Sequence, residues 1–153
     1  MAPPRTLVSA CLLGRACRYD GASKPSPAVA RWLQARGGEV VAVCPEELGG
    51  LPTPRPAAWL SGGDGAAVLA GAARVVRGQD GADLTEAFRS GARRALAAAP
   101  DASAAVLKAR SPSCGGGQTW IDGRVCEGDG VFAALLRGRG VDVRTDEDLP
   151  SGE

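Results

Sequence analysis

Short apolar runs alternate with segments of helical periodicity along most of the chain. Residues 6–10 predict a first strand, Glu39–Val43 a second, residues 104–108 a third and residues 141–144 a last. The second run is mostly apolar, as in a strand covered on both faces. Strands that alternate with helices pair in parallel, because each crossover needs a dozen or more residues.

Three segments have the periodicity of helices. The first is Pro27–Arg36, with Ser26 as its N-cap and Gly37 as its stop. The second covers about residues 84–99 and the third about residues 131–137. We therefore expect an α/β fold, in which a mostly parallel sheet is flanked by helices. We assign the whole chain, residues 1–153, to one domain with a core at about 6–145.

Three further segments lack a clear period. Residues 44–56 contain four prolines and two glycines, which argues against a helix or an inner strand and favours a binding loop. Residues 111–117 form a loop rich in serine and glycine. The apolar pieces within residues 66–77 predict a hairpin.

Cysteines follow three of the predicted strands. Cys11 comes directly after the first strand, Cys44 directly after the second, and Cys114 a few residues beyond the third. Ligands of parallel sheets bind beyond the carboxyl ends of the strands, so we expect these thiols to meet at one edge. Packing alone gives no reason for cysteines at three successive strand ends.

The amino-acid composition excludes several kinds of active site and metal site. The chain has no histidine and five cysteines, which excludes Ser-His-Asp and Cys-His catalysis and any zinc or haem site that needs imidazole. A net charge of +1 gives no reason to expect a large nucleic-acid partner or a membrane. Without a signal peptide or an apolar run long enough to span a bilayer, the expected location is the cytoplasm.

Thiolates without imidazole suit zinc or iron–sulfur clusters. Structural zinc sites usually carry paired CxxC motifs, and the chain has none. Three separated cysteines match a four-iron cluster that keeps one iron open, which suits catalysis better than electron transfer. Cys17 could supply a fourth thiolate, although the following turn at residues 19–21 argues against it, and Cys126 is interpreted as structural or incidental.

Two polar residues lie close to these cysteines in sequence. Glu46 is two residues after Cys44 and could serve as a general base, whereas the adjacent Glu47 is interpreted as a solvated carboxylate. Ser111 is three residues before Cys114 and either hydrogen-bonds a substrate or stabilises the turn.

The residues leave three classes of function open. The first is an iron–sulfur enzyme. The alternative is a non-catalytic iron–sulfur or zinc-binding protein that acts as a sensor or scaffold, although neither role needs Glu46 or Ser111. A thiol enzyme without a cluster is the third, and the missing histidine and CxxC pair weaken it.

Motifs along the chain resemble the DUF523 family, now named for its thiouracil desulfidase members. The resemblance covers about residues 8–145, and the motifs keep the family's order and spacing. They are VSACLLG (8–14), CRYDG (17–21), VCPE (43–46), GGLPTPR (49–55), GADLT (81–85) with Phe88 and GA (91–92), LK (107–108), SPSCG (111–115) and GDGV (128–131).

The resemblance implies a [4Fe–4S] cluster on Cys11, Cys44 and Cys114, with Glu46 and Ser111 as the catalytic pair. It implies a hydrolytic, non-redox removal of sulfur, as sulfide, from thiouracil, thiouridine or thio-UMP. Relatives that act on thiolated tRNA resemble this chain but have an additional C-terminal domain, so we expect a small-molecule substrate here. The expected protein partner is the machinery that assembles iron–sulfur clusters.

Several residues beside the cluster edge are candidates for binding the substrate. Four of them are cations that could hold a phosphate, with an ordinary solvated rim as the alternative. The family usually has a glutamate where this chain has Trp59, so substrate preference can differ. The candidate substrate-binding residues are Arg18, Tyr19, Lys24, Arg55, Lys108 and Ser113.

Overall fold

The computed structural model describes residues 4–149. A 3-10 turn, Ala10–Leu13, follows the first strand. In chain order the strands and α-helices are β1 (Arg5–Ser9), α1 (Pro27–Arg36), β2 (Glu39–Val43), α2 (Pro45–Leu48), β3 (Ala58–Ser61), α3 (Gly65–Leu69), β4 (Arg74–Arg77), α4 (Thr85–Ala98), β5 (Ala104–Leu107), β6 (Gln118–Ile121), β7 (Arg124–Glu127), α5 (Val131–Gly138) and β8 (Asp142–Thr145).

The first sheet is fully parallel, with the strand order β2-β1-β5-β8. Successive residues of its central strands face opposite sides, because side chains alternate along a strand. Leu7 packs with Phe88 and Phe132 from α4 and α5, whereas Val8 packs with Val29 from α1. Helices therefore cover both faces, and the predicted α/β class is confirmed.

The helix and strand boundaries follow the sequence closely in this sheet. The helix α1 begins and ends where the pattern predicts, the Ser26 hydroxyl accepts a hydrogen bond from the Val29 N–H at 3.3 Å, and Gly37 ends the helix. The strand β2 also has the predicted boundaries, but it is not covered on both faces. It is the edge strand, and Val40 is 41% exposed.

A second sheet, which was not predicted from the sequence, has the order β4-β3-β6-β7. The strand β3 pairs antiparallel with β4 and parallel with β6. The predicted hairpin within residues 66–77 is wrong, because this segment contributes α3 and β4, and the partner of β4 is the earlier strand β3.

The strands β6 and β7 form a hairpin around Asp122 and Gly123, whose φ angles are 49° and 83°. Asp-Gly between two extended segments is a strong hairpin signal, because both residues of the turn need positive φ. This dipeptide is therefore a local signal from which the hairpin could have been predicted.

The proline-rich segment 44–56 is a loop except at its start. The expectation that it holds no helix is wrong for Pro45–Leu48, which forms one helical turn. Pro45 occupies the first helical position, where its missing N–H costs no hydrogen bond.

Within residues 4–149, none of the helices combines the length and apolar character that crossing a bilayer requires.

Candidate active site

Three cysteines follow neighbouring strands of the parallel sheet. Cys11 lies in the 3-10 turn after β1, Cys44 directly follows β2, and Cys114 lies in the loop after β5. Since β1 lies between β2 and β5, the carboxyl ends of these strands meet at one edge. The three residues, which we call the thiol floor, line one cavity of about 560 Å³.

Cys17 also lines this cavity. Its side chain is 3% exposed, and its thiol lies within hydrogen-bonding reach of the thiols of Cys11 and Cys44. The turn at residues 19–21, which argued for a chain leading away from the site, begins only after Cys17. The structure therefore places a fourth thiol beside the thiol floor.

The surroundings of Cys17, Cys44 and Cys114 raise the pKa of each of these three thiols. Burial raises the pKa of Cys114 to about 12. A hydrogen bond with the Cys11 thiol raises the pKa of Cys17 to about 11, and a hydrogen bond with Cys17 together with burial raises the pKa of Cys44. A bound metal supplies the positive charge that stabilises thiolates at such a site and displaces their protons.

The arrangement of the thiols indicates whether a single metal ion or a cluster fits the site. Residues 4–149 contain no group of three Cys, Asp or Glu side chains that could hold a single metal ion. A four-iron cluster binds each cysteine to a different iron, so its ligands have to line a shared space. Cys11, Cys44 and Cys114 line such a space, as does Cys17, so the thiols of this cavity fit a four-iron cluster.

The hydroxyls of Ser9 and Ser111 are within hydrogen-bonding reach of the Cys114 sulfur. Burial raises the pKa of the Cys114 thiol, and both hydroxyls oppose this shift. Ser9 Oγ accepts a hydrogen bond from the Lys108 N–H at 2.9 Å. Ser111 Oγ accepts from the N–H groups of Ser113 and Cys114 at 3.1 and 3.0 Å. Ser111 therefore stabilises the turn that carries Cys114, and its own O–H remains available as a donor. Sequence reasoning gave Ser9 no role.

Glu46 lies in α2 and faces the same cavity. Its side chain is 15% exposed, and its Oε1 accepts a hydrogen bond from Arg55 Nε at 3.1 Å. Burial raises the pKa of the Glu46 carboxyl, and the Arg55 guanidinium opposes this shift. The result is a poorly solvated carboxylate with one charged partner.

Arg55 lines the cavity, but its side chain is only 6% exposed and its guanidinium is hydrogen-bonded to other residues of the protein. Besides Glu46, it donates to the Pro52 carbonyl, to Thr53 Oγ1 and to the Cys17 carbonyl at 3.1, 2.9 and 3.1 Å. These contacts connect the proline-rich loop to the segment that carries Cys17. From sequence, Arg55 was expected either to bind a phosphate or to be solvated. In the structure its guanidinium is instead hydrogen-bonded to other residues of the protein.

Glu47, interpreted from sequence as solvated, is paired. Its Oε1 accepts from Arg15 at 2.7 Å and its Oε2 accepts from Thr53 Oγ1 at 2.6 Å. Glu47 is not among the residues that line the cavity. The two adjacent glutamates therefore have different contacts. Glu46 lines the cavity with the thiols, whereas Glu47 binds Arg15 and Thr53 of the proline-rich loop.

Of the other residues predicted to bind the substrate, all except Ser113 line the cavity, and we call their side of it the rim. Arg18, Tyr19, Lys24 and Lys108 all line it, and Tyr19 is 45% exposed. The rim is mixed in charge, because Asp146 and Glu147 line it as well. Lys24 and Lys108 both lie near enough to Glu147 to lower the pKa of its carboxyl, after the larger effect of Arg110.

Two residues lie away from the cavity. Ser113 is 1% exposed, is not a lining residue, and its buried hydroxyl has no hydrogen-bond partner among the described residues. Cys126 lies on β7 in the second sheet and is not a lining residue either.

The second sheet supplies the part of the cavity that the sequence did not reveal. Trp59 on β3 and Trp120 on β6 both line it. The sequence marked Trp59 only as a departure from the family pattern, and it gave no role to Trp120. The pairing of β3 with β6 places these two residues next to each other, at the cavity that the thiols also line.

The chain is similar to known proteins over nearly its whole length. A solved structure named as the [4Fe-4S]-dependent thiouracil desulfidase TudS (DUF523Vcz) is 40% identical with a TM-score of 0.76, covering 96% of this chain and 93% of that one. The uncharacterized protein YbbK of Bacillus subtilis (strain 168) is 41% identical over 148 residues, covering 94% of this chain and 96% of YbbK. The model of the 2-thiouracil desulfurase family matches residues 6–148. The chain therefore belongs to the 2-thiouracil desulfurase family.

Proposed function

We propose that the protein is a desulfidase that holds a [4Fe–4S] cluster on Cys11, Cys44 and Cys114 and hydrolyses the C=S group of a thiolated pyrimidine. The observation that carries this proposal is that the thiol floor and the Glu46 carboxylate line one cavity. When bound, a cluster with three cysteine ligands supplies a soft Lewis acid with an affinity for sulfur. The solved relative is named as a [4Fe-4S]-dependent thiouracil desulfidase, which supports a four-iron cluster and this class of reaction.

Glu46 is the proposed general base. Arg55 Nε donates to its Oε1, which leaves acceptor capacity on the carboxylate for a proton from a water in the cavity. Burial raises the pKa of this carboxyl, which makes the carboxylate a stronger base than a solvated one. In the balanced reaction, water oxygen replaces the sulfur of the C=S group, giving the oxo product and sulfide, with no electrons exchanged.

Ser111 is the proposed second member of the catalytic pair. Two backbone N–H groups fix its oxygen, and the hydroxyl can donate its proton either to the Cys114 sulfur or to a substrate atom. Holding a hydroxyl in place before the substrate arrives lowers the reorganisation that the reaction requires.

The test is an anaerobic preparation in which iron and sulfide are counted, the visible absorption is recorded, and 2-thiouracil is supplied as substrate. The expected result is about four irons per chain and equal amounts of uracil and sulfide as products. A protein that binds the cluster but releases no sulfide from any thiolated pyrimidine would contradict the proposed reaction.

A further inference from the structure

The aromatic residues of this chain are few and unevenly placed. There are three tryptophans, two phenylalanines and one tyrosine. Both phenylalanines are fully buried in the core, and Trp32 lies on α1 beside two arginine guanidiniums. The other three, Tyr19, Trp59 and Trp120, all line the cavity. Half of the aromatic residues therefore face one ligand-sized space.

The register of the second sheet places the two tryptophans side by side. Leu60 on β3 is paired with Ile121 on β6 in a parallel ladder, so Trp59 and Trp120, one residue earlier on each strand, are neighbours on the same face. Leu60 is fully buried in the core, and Ile121 packs against that core. Because side chains alternate along strands, the tryptophans face the opposite side, which is the cavity.

A glycine makes room for the ring of Trp59. A Cβ atom at Gly78 would lie 2.4 Å from Cζ3 and 2.7 Å from Cη2 of this ring, too close for any larger residue without movement of the ring. Trp59 is half-buried, whereas Trp120 is 41% exposed. One ring is thus fixed against the backbone, and the other presents a large apolar surface to the cavity.

We propose that Trp59 and Trp120 form an aromatic wall on which the planar ring of the substrate stacks, and that this wall determines specificity for a flat heteroaromatic ring. The proposal rests on the proposed function, because it takes the thiolated pyrimidine as the ligand. Stacking on an aromatic side chain favours any ring with a π face and loses this contribution with a puckered ring. The wall selects the ring, while Glu46 acts at its C=S group on the side of the cavity that the thiol floor lines.

The experiment measures binding by calorimetry to the cluster-loaded protein, with uracil and 5,6-dihydrouracil as ligands. These two molecules have the same carbonyl and N–H groups, but the second lacks the planar aromatic ring. Unmodified protein should bind uracil more tightly. Trp120→Leu and Trp59→Leu should each weaken uracil binding by about tenfold, on the scale of lost stacking on an aromatic platform, and should affect dihydrouracil much less.

Trp32→Phe is the matched control, since Trp32 does not line the cavity, and both affinities should stay unchanged. Trp120→Leu keeps the test decisive if Trp59→Leu fails to fold, because Trp120 is exposed and can be replaced without loss of core packing. Equal affinities for the two ligands in unmodified protein, or an undiminished preference for uracil in Trp120→Leu, would overturn the aromatic wall.

The outcomes separate this proposal from the proposed function. Suppose that both tryptophan variants release sulfide from 2-thiouracil with an unchanged KM. This result would support the proposed desulfidase reaction and contradict the proposed role of the aromatic wall. A preference for uracil that the tryptophan variants remove, in a protein that releases no sulfide, would support the wall and contradict the desulfidase.

Discussion

The two sides of the cavity are held in different ways. On the side of the parallel sheet, Cys11 and Cys114 are buried, and Glu46 and Ser111 have fixed hydrogen-bond partners. On the side of the second sheet, the aromatic wall is half-buried at Trp59 and open at Trp120. The groups proposed to carry the chemistry are therefore preorganised, while the groups proposed to contact the ring remain accessible.

This difference has a physical reason. A charged or hydrogen-bonding group acts most strongly when it is desolvated and fixed, because water would otherwise screen it. An aromatic surface contributes by losing water when the ligand arrives, so exposure before binding is an advantage. Each of the following predictions tests one side of the comparison.

The largest effect is expected at the thiol floor. Replacing Cys11, Cys44 or Cys114 by serine should abolish cluster retention and activity, because the remaining two thiolates hold the cluster too weakly. The measurement is bound iron, bound sulfide and visible absorption after anaerobic purification.

The controls for this prediction are Cys17→Ser and Cys126→Ser, which should keep the cluster. Cys126 lies outside the cavity, whereas Cys17 lies beside Cys11 and Cys44, so Cys17→Ser is the more demanding control. Loss of the cluster in Cys17→Ser as complete as in Cys44→Ser would replace the three-ligand assignment with a four-ligand one.

The second prediction concerns Arg55. Arg55→Gln leaves the Glu46 carboxylate buried without its charged partner, so the free energy of unfolding should fall by about 3–5 kcal/mol. Denaturant titration measures this change. The matched control is Arg15→Gln, because Arg15 pairs with the neighbouring Glu47 but is 62% exposed, and its loss should cost less than about 1 kcal/mol. Equal effects in the two variants would show that burial of the Arg55 pair does not matter.

The third prediction separates catalysis from cluster assembly. Glu46→Gln keeps the shape of the side chain but removes the base, so turnover should fall about 100-fold or more while the cluster spectrum persists. Ser111→Ala should also keep the cluster, with a smaller loss of turnover.

Glu47→Gln is the comparison for Glu46→Gln, since Glu47 is the adjacent glutamate and does not line the cavity. It should lose little turnover. Full activity in Glu46→Gln together with a large loss in Glu47→Gln would transfer the role of base to Glu47.

The smallest effect is expected for a phosphate on the substrate. Because Arg55 is engaged by the protein, Lys24 and Lys108 at the rim are the better candidates for a phosphate contact. Thiouridine monophosphate should have a lower KM than the free base. Lys24→Gln should reduce this advantage by up to about fivefold, since an exposed ion pair is worth at most about 1 kcal/mol.

Arg93→Gln on α4 provides the control for Lys24→Gln, because Arg93 is exposed and does not line the cavity. The advantage of the monophosphate should also shrink as salt is added. Equal kcat/KM values for base and monophosphate in unmodified protein would leave these lysines as ordinary surface residues.

The first sheet could be predicted from sequence to within one residue at most boundaries, because its strands and helices carry strong local signals. Pro27–Arg36 has a capping serine, a first-position proline and a terminal glycine. The second sheet was harder, because its strands have four residues each and its order is set by contacts far apart in sequence. Ala58–Ser61 carries no local signal that it pairs with β4 on one side and β6 on the other.

By itself, the sequence determined the α/β fold class, the strand ends at which Cys11, Cys44 and Cys114 lie, and the short tether from Cys44 to Glu46. These are local properties of a periodic pattern. Tertiary structure alone decided that Cys17 lies beside the other thiols, that Arg55 is bound by Glu46, and that Trp59 and Trp120 share a face. Cys17 and Cys44, like Trp59 and Trp120, lie far apart in sequence and meet only in the fold. Arg55 reaches Glu46 through the course of the proline-rich loop. A one-residue change in strand register would turn the tryptophans to the opposite face.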